Sequence, residues 1–585
     1  METRVRIRFE YFYESRFYRV FTNFLFPLLI AAITFAHVNK GMDITDSTYS
    51  LTNFMFADKL DSMWYYSTFY ANLIGSLMIK LPLGNTILGM NIYTGIVRLA
   101  IGLIAYFFFY LVVRMEKELA FLGVFVAEAF CWCPTTILYN YLTYLFFLLG
   151  AVFLYKGLIN ERTVELVLAG FFLGCNFFVR LPNVAETALI AALWIFSIKD
   201  REKFVICLKK TGWCVLGYVI AFLPGVLLIS ATRGVREYIK GITELFAMTD
   251  ESTSYTPVSM IVSTAKAYIE SWPWDEIAIF MVITGLLAFL VFPKKVAWLR
   301  YASATLVSFL YIFLFYKKNL FDVNIYYHAA IYRAGALLLT IMVVWFLGIL
   351  VHRKSRYDEV LLAAISLIAI AITPIGSNNQ IYSNINNFFF VIPAFLFFLV
   401  RFASGNEYFR GVRYVLCILF AAIGCYAVVV GSTAVFRDGL DGAMEYRVDN
   451  NSVVKGMKTT ESNAKRLEEL FALWDDKDLE GSKVLLYGNV SGLGFYLNAS
   501  PAISTAWPSL ASFSTEKFEN DMKYLNDVIN EKGEEKPVVI IGSEEIDGVF
   551  STKPLRKQEI LNKFIEDNNY SLEYDNESFS VYLAR

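Results

Sequence analysis

The chain has 585 residues, of which 57% are hydrophobic and 17% aromatic, and only 18% are charged, against about a quarter in soluble globular proteins. A mean hydropathy of +0.49 and a formal net charge of -1 without a strongly basic domain argue against a soluble enzyme and against nucleic acid as a partner. All seven cysteines lie in apolar segments before residue 436, and the Cys131-Trp-Cys133 pair lacks CxxC spacing, which speaks against a disulfide-stapled external domain, a redox motif and a Cys/His metal cluster.

In chain order, Arg4, Arg6, Arg8, Arg16 and Arg19 precede an apolar run from Phe21 to Ala36 with no small-residue cleavage site after it. This pattern predicts a retained signal-anchor with its N-terminus in the cytoplasm. A membrane helix needs about 20 predominantly apolar residues, and about thirteen such stretches are predicted. They lie near 21–38, 86–113, 119–137, 141–158, 164–179, 184–198, 205–231, 276–292, 298–316, 331–351, 359–374, 388–404 and 413–435. The loops alternate as the positive-inside rule requires: predicted inner loops hold Arg114 and Lys117, then Lys199, Arg201 and Lys203, then Arg353, Lys354 and Arg356, whereas the outer loop 374–387 has no Lys or Arg. The outer 232–275 loop is the exception, with Arg233, Arg236, Lys240 and Lys266. An odd number of spans places the C-terminus outside. Trp64 to Lys80, interrupted by Ser67, Asn72 and Ser76, is predicted as an interfacial helix on the outer surface, because counting it as a span would invert every later loop.

From about Phe436 the composition is ordinary and polar. Lys483–Gly488 and Lys536–Gly542 read as buried strands. Between them, Phe518, Met522, Leu525 and Ile529 recur at helical spacing over Glu516–Lys532. Asp575-Asn576 between two alternating runs marks a hairpin over Ser571–Ala584. The expected fold class is therefore an α-helical polytopic membrane protein over 1–435 with a small, extracytoplasmic C-terminal α/β domain over 436–585. Gly488, Gly492 and Gly494 follow a strand but lack GxGxxG order.

The most informative loop is the first outer one, Lys40-Gly-Met-Asp43-Ile-Thr-Asp46-Ser-Thr-Tyr49. Two carboxylates three residues apart share a face if the segment begins a helix. They can act as a base toward an acceptor hydroxyl, or hold a divalent cation that neutralises a phosphate leaving group. They can equally cap the helix that follows.

This loop, with its paired acids, its Tyr and a surface helix after it, resembles that of the GT-C superfamily of membrane glycosyltransferases, which includes protein O-mannosyltransferases and the transferase that adds aminoarabinose to lipid A. Further stretches resemble the family: Tyr139 to Gly150, the Gly170-Phe-Phe-Leu-Gly174 run followed by Arg180-Leu-Pro-Asn183, and Leu485-Leu-Tyr487-Gly-Asn489 at the start of the outer domain. The chain departs from the family's common Asp-Glu pair, since Ser47 follows Asp46, so either Asp43 or Asp46 is the catalytic acid the resemblance implies. It also implies a polyprenyl-phosphate-linked sugar donor, an acceptor hydroxyl and an active site on the outer face of the membrane; the expected location is the plasma membrane of a bacterium.

Other residues suit such a site. Tyr49 follows the acid pair, and Arg180 stands at the outer end of a span as a phosphate clamp would, with Asn183 beside it; an interfacial snorkel explains Arg180 as well. Lys317, Lys318, Tyr326, Tyr327, His328 and Arg333 cluster at another outer mouth, fit for a diphosphate-like head group or for a hydrated loop end. Asn378 and Asn379 belong to an uncharged run of amides suited to sugar hydroxyls or to turns. Glu128 and Glu186 are costly inside a membrane and suggest function, and Arg98 is positioned to seek a partner in the bundle. A multi-span transporter or lipid flippase, or an inactive scaffold of the same fold, is the competing reading; against the transporter, no matched pair of Gly/Pro-broken helices occurs in two halves.

Overall fold

The computed structural model describes residues 16–134, 136–246, 257–321, 329–375, 379–401, 407–433, 435–438, 443–546, 549–551 and 553–585. Each of the thirteen apolar stretches folds as a helix, from Arg16–Phe35 at the start to Glu407–Thr433 at the end. Among the described residues, eight helices are long and apolar enough to cross a membrane. A ninth counts if Gln380–Asn387 and Val391–Arg401, bent by 77° at their break, form one span. Of the rest, Arg16–Phe35 has 20 residues, whereas Lys117–Phe130 has 14 and Thr163–Val179 has 17, or about 21 and 26 Å at the helical rise, below the ~30 Å hydrocarbon thickness. The chain is an integral, multi-pass membrane protein; the side that carries its C-terminal part rests on the Lys/Arg pattern of the loops.

Apolar residues such as Leu223, Leu227, Val291 and Leu310 are exposed on the helix bundle, as expected of a surface solvated by acyl chains. Inside, close packing explains one of the sequence motifs. A methyl on Gly170 would collide with the Cys214 carbonyl, and one on Gly174 would crowd the Tyr218 carbonyl and Ala221. The Gly170-x-x-x-Gly174 run is thus the small-residue stripe along which Thr163–Val179 packs on Phe204–Ala231.

The tail forms the predicted strands, helix and hairpin within a residue or two. Val484–Tyr487 pairs in parallel with Val538–Gly542 (Val484 opposite Val538) across the Thr515–Lys532 crossover helix. Phe579–Ala584 joins antiparallel to Val538–Gly542, and Tyr570–Asp575 lies outside it. Side chains alternate across this sheet. Leu485, Tyr487 and Val539 face the core shared with Thr515–Lys532 and the Leu555–Asp567 helix. Val484, Leu486, Val538 and Ile540 face a second core that contains Met42, Ile44, Leu51 and Phe54 of the first loop and Leu467 and Phe471 of the Glu461–Asp476 helix.

The first loop therefore belongs to the core of the C-terminal part. The Trp64–Lys80 stretch, expected as one surface helix, is instead two, Ser62–Ser67 and Phe69–Ile79, broken at Thr68. Tyr66, Phe69 and Ala71 are buried in the same core. With 11 residues, the second is too short to cross the membrane.

The glycine run after Val484–Tyr487 seals this junction. Gly492 N–H donates to Ile44 O at 2.8 Å, and a methyl on Gly492 would collide with the Thr48 side chain. Gly492→Ala is expected to destabilise the junction by about 1–3 kcal/mol through overpacking. The check is thermal unfolding in detergent together with limited proteolysis: tail and first loop should become cleavable at lower temperature, whereas Gly212→Ala, where nothing lies within 4 Å and the backbone is helical, controls for the added methyl alone.

Candidate functional site

The first outer helix runs Asp46–Met55, with Thr45 at its N-cap. Asp43 thus precedes the helix, and the two acids do not share a helical face. Asp43 is buried. Its Oδ1 accepts from Thr45 N–H at 2.8 Å and from the Thr45 hydroxyl at 2.5 Å, and its Oδ2 accepts from Ser47 N–H at 2.9 Å. Only the last of these satisfies a first-turn donor of the helix; the two Thr45 bonds close the turn before it. Three of a carboxylate's roughly four acceptor sites are then filled, which leaves room for one more donor. Burial, and after it the Asp46 carboxylate, push the Asp43 carboxyl up to about 6, against the pull of Arg437 and of the Thr45 and Ser47 hydrogen bonds.

Asp46 turns away to Arg437, Oδ2 to Nη1 2.6 Å. Arg437 holds a left-handed backbone (φ 47°), uncommon for a residue with a Cβ and frequent at functional sites. The segment that carries it, just past the last long helix, also anchors the loop. Asp438, buried, accepts Met42 N–H at 2.6 Å and the Thr459 hydroxyl, and Asn463 Nδ2 donates to it. Gly41, at φ 95°, has no room for a side chain against Val435. From the other side, Tyr496 donates to Asp43 O at 3.1 Å and Asn463 to Met42 O at 3.1 Å.

Asp43 lines a cavity of about 270 Å³. Its walls are the end of the first helix (Thr34, His37), the loop (Lys40, Ser47), and Phe436 and Tyr496. Its inner end is the Arg98–Glu128 pair, at 2.6 Å between Nε and Oε2 with a second bond from Nη2 to Glu128 O, beside the Cys131–Pro134 stretch. Arg98 has found the partner that the sequence left open.

The remaining sequence-predicted residues are not on the wall of this cavity. Tyr49 is largely buried, its ring edge-on to Trp507 at 5.4 Å. Arg180 lies over the Tyr139 ring at 5.6 Å. Asn183 is buried and donates to Thr143 Oγ1 at 2.8 Å and to Asn176 Oδ1 at 2.9 Å, and Asn176 in turn donates to Glu186; these amides organise the 176–186 turn below Arg180. Arg333 lies over Trp274 at 5.5 Å and donates to Asn319 O. Its neighbour Tyr332 stacks on Tyr382 at 5.2 Å, so the Arg333 mouth and the amide loop meet. Asn379 immediately precedes the Gln380–Asn387 turn of that loop. His328 and Asn378 lie outside the described residues. Arg437 and Asp438 were not singled out in the sequence. The signal available was a charged pair directly after the final apolar stretch.

A divalent cation, the alternative use for the acid pair, meets a donor set that does not suit it. Among the described residues no group of three or more His, Cys, Asp or Glu is placed to hold a metal, and Asp46 is already neutralised by Arg437.

No protein-family model matches the chain, and a search of curated proteins gives no significant match. Among solved structures, the chain is similar to the Archaeoglobus fulgidus oligosaccharyltransferase. In its complex with Zn and sulfate the identity is 13%, covering 88% of this chain and 68% of that one, with a TM-score of 0.43. Tethered to an acceptor peptide containing the NVT sequon, it gives 11% identity over 98% and 74%, with a TM-score of 0.44.

Proposed function

We propose that the protein is a membrane glycosyltransferase that moves a sugar from a polyprenyl-phosphate-linked donor to an acceptor hydroxyl on the outer face of the membrane. The observation that carries this reading is Asp43: a buried carboxylate with a raised proton affinity, on the wall of a cavity between the end of the first helix and the C-terminal part. In the proposed step the acceptor oxygen attacks the anomeric carbon. Its proton passes to the free acceptor site of Asp43, and the bond to the phosphate breaks with its electron pair going to the phosphate oxygen. Arg437 and Lys40 supply the positive charge toward which that phosphate leaves, a role in which preorganised cations are effective. No step is routed through a metal. Asp46 orients Arg437. Arg180, Arg333 and Asn379 are assigned to the more distant parts of the donor, with His328 and Asn378 beside them in the chain; Asn183 holds the turn under Arg180, and Tyr49 backs the acid pair. In this reading residues 1–435 form the transferase body and 436–585 an outer domain.

The test is direct. Purified protein, given a panel of lipid-linked sugars and simple alcohol acceptors, is expected to release polyprenyl phosphate with at least one donor, and Arg437→Gln is expected to lower that rate about 10²-fold. Full turnover by Arg437→Gln would remove it from the site. A second reading, an inactive scaffold of the same fold, is favoured by the turn and capping bonds of Asp43. It predicts donor binding without release of polyprenyl phosphate anywhere in the panel.

A further inference from the structure

The four cations of the 232–275 loop break the charge pattern of its side, and the structure gives them separate employments. Arg233 is structural: it donates to Leu60 O and Ala57 O, both at 2.6 Å, and lies over the Tyr65 ring at 4.2 Å. Lys266 pairs with Glu270 one turn on. Arg236 and Lys240 belong to the Val235–Phe246 helix, which begins three residues after the Phe204–Ala231 span ends.

That helix has three distinct sectors. One packs inward: Gly241 lies against the Ser62 backbone, Glu237 accepts from the Ser62 hydroxyl at 2.7 Å, and Glu244 pairs at 3.1 Å with Lys517, which also holds Asp61. A second displays Val235, Ile239 and Phe246, which recur at helical spacing and are 45, 60 and 80% exposed. A third, between the exposed apolar stripe and the acids, carries Arg236 and Lys240, both exposed, with Lys240 4.0 Å from Glu244 one turn on. The chain returns through Pro257–Glu270, where Val258, Ile261, Val262 and Ile269 are exposed as well, and enters the Trp272–Val291 span at an exposed tryptophan.

We infer that Val235–Phe246 is a lipid-surface helix: its apolar stripe lies in the boundary between headgroups and acyl chains, and Arg236 and Lys240 meet anionic headgroups. Its occupant is fixed by continuity, since spans lie at both ends of the 232–272 segment, and by the order of its sectors, apolar stripe flanked by cations, which is that of an interfacial helix. Because its inward sector holds the Ser62–Ser67 helix and Lys517, it sets the height of the C-terminal part above the bilayer.

The experiment uses the full chain in vesicles. Cys417 and Cys425, the exposed cysteines, are replaced by Ser. Bimane is then placed at Ile239→Cys, at Phe246→Cys, and, as a control on the Leu555–Asp567 helix, at the exposed Lys563→Cys. Quenching by shallow doxyl-labelled lipid is expected to be at least about threefold stronger at 239 and 246 than at 563, for a helix seated ~5–10 Å into the interface. Quenching at 239 and 246 no greater than at 563 would overturn the proposal and leave the stripe to a protein partner. Adding phosphatidylglycerol to phosphatidylcholine vesicles should raise quenching at 239, and Arg236→Gln with Lys240→Gln should abolish that rise. Identical quenching in both lipids would overturn the headgroup assignment.

Discussion

Asp43→Asn is expected to lose about 10²–10⁴-fold in transfer rate, the usual contribution of a general base, while inserting, folding and binding donor as before. Asn is nearly isosteric and still caps helices, so the Thr45 bonds survive and only the contact with Ser47 N–H changes. Asp46→Asn should act differently: it removes the charge that holds Arg437 at 2.6 Å and should weaken donor handling while leaving the base in place. The pH profile separates chemistry from scaffold. With Asp43 pushed up to about 6, the base is protonated below that pH, so transfer should rise through pH 6 to a plateau, and the rise should vanish in the residual activity of Asp43→Asn. Stability runs the other way. The folded carboxyl binds its proton more tightly than the unfolded one, near 3.8, so the folded state loses stability as pH rises from about 4 to 6 and the loss is complete above that. A full rate in Asp43→Asn would leave the residue as a cap alone.

How far the sequence foretells this site depends on whether a signal is local. Every apolar stretch is a helix because burial in lipid or protein leaves the backbone no other partner, and the tail strands and crossover helix follow from short-range alternation. The Ser62–Ile79 region was read from its own composition as a surface helix. Its Tyr and Phe side chains are instead buried against segments more than 100 residues later in the chain, Tyr66 on Tyr238 and Tyr70 on Phe178, contacts that no local pattern encodes. The same reason explains the domain boundary. Met42 to Phe54 looked like a loop of the membrane part, yet their apolar side chains fill one face of the C-terminal sheet.

Asp43 and Asp46 were legible because carboxylates at the end of a span are unusual. Their distinct roles were not, since these depend on Arg437 and Asp438, which adjoin them only in space. The Gly170-x-x-x-Gly174 resemblance has a sufficient cause in helix packing, whereas Arg180 beside it lies over the Tyr139 ring.

Arg98→Met is expected to destabilise the folded protein by about 3–5 kcal/mol, the usual cost of leaving one member of a buried ion pair alone. Glu128 is 1% and Arg98 9% exposed, and Arg98 donates both to the Glu128 carboxylate and to its backbone carbonyl, each at 2.6 Å. The second bond matters because the chain leaves its helix just after Glu128, at Phe130. Arg98 thereby fixes the start of the Cys131–Pro134 stretch that walls the cavity, where Tyr141 donates to Cys133 O at 2.6 Å. Without the guanidinium, Glu128 must take up a proton or draw in water, and the stretch loses one of its tethers. Glu128→Gln keeps the shape and an acceptor, so it should cost less than Arg98→Met. The double variant Arg98→Met with Glu128→Leu should recover most of the loss, because replacing both members by apolar groups removes the uncompensated charge. Unfolding in detergent, followed by heat or graded denaturant, measures all three. Single variants within about 1 kcal/mol of the parent, the range of a solvated pair, would mean that water reaches Glu128 in the folded protein. A double variant as unstable as Arg98→Met would instead place the cost in the lost tether to Glu128 O, and the cavity wall would then depend on that hydrogen bond more than on the buried charge.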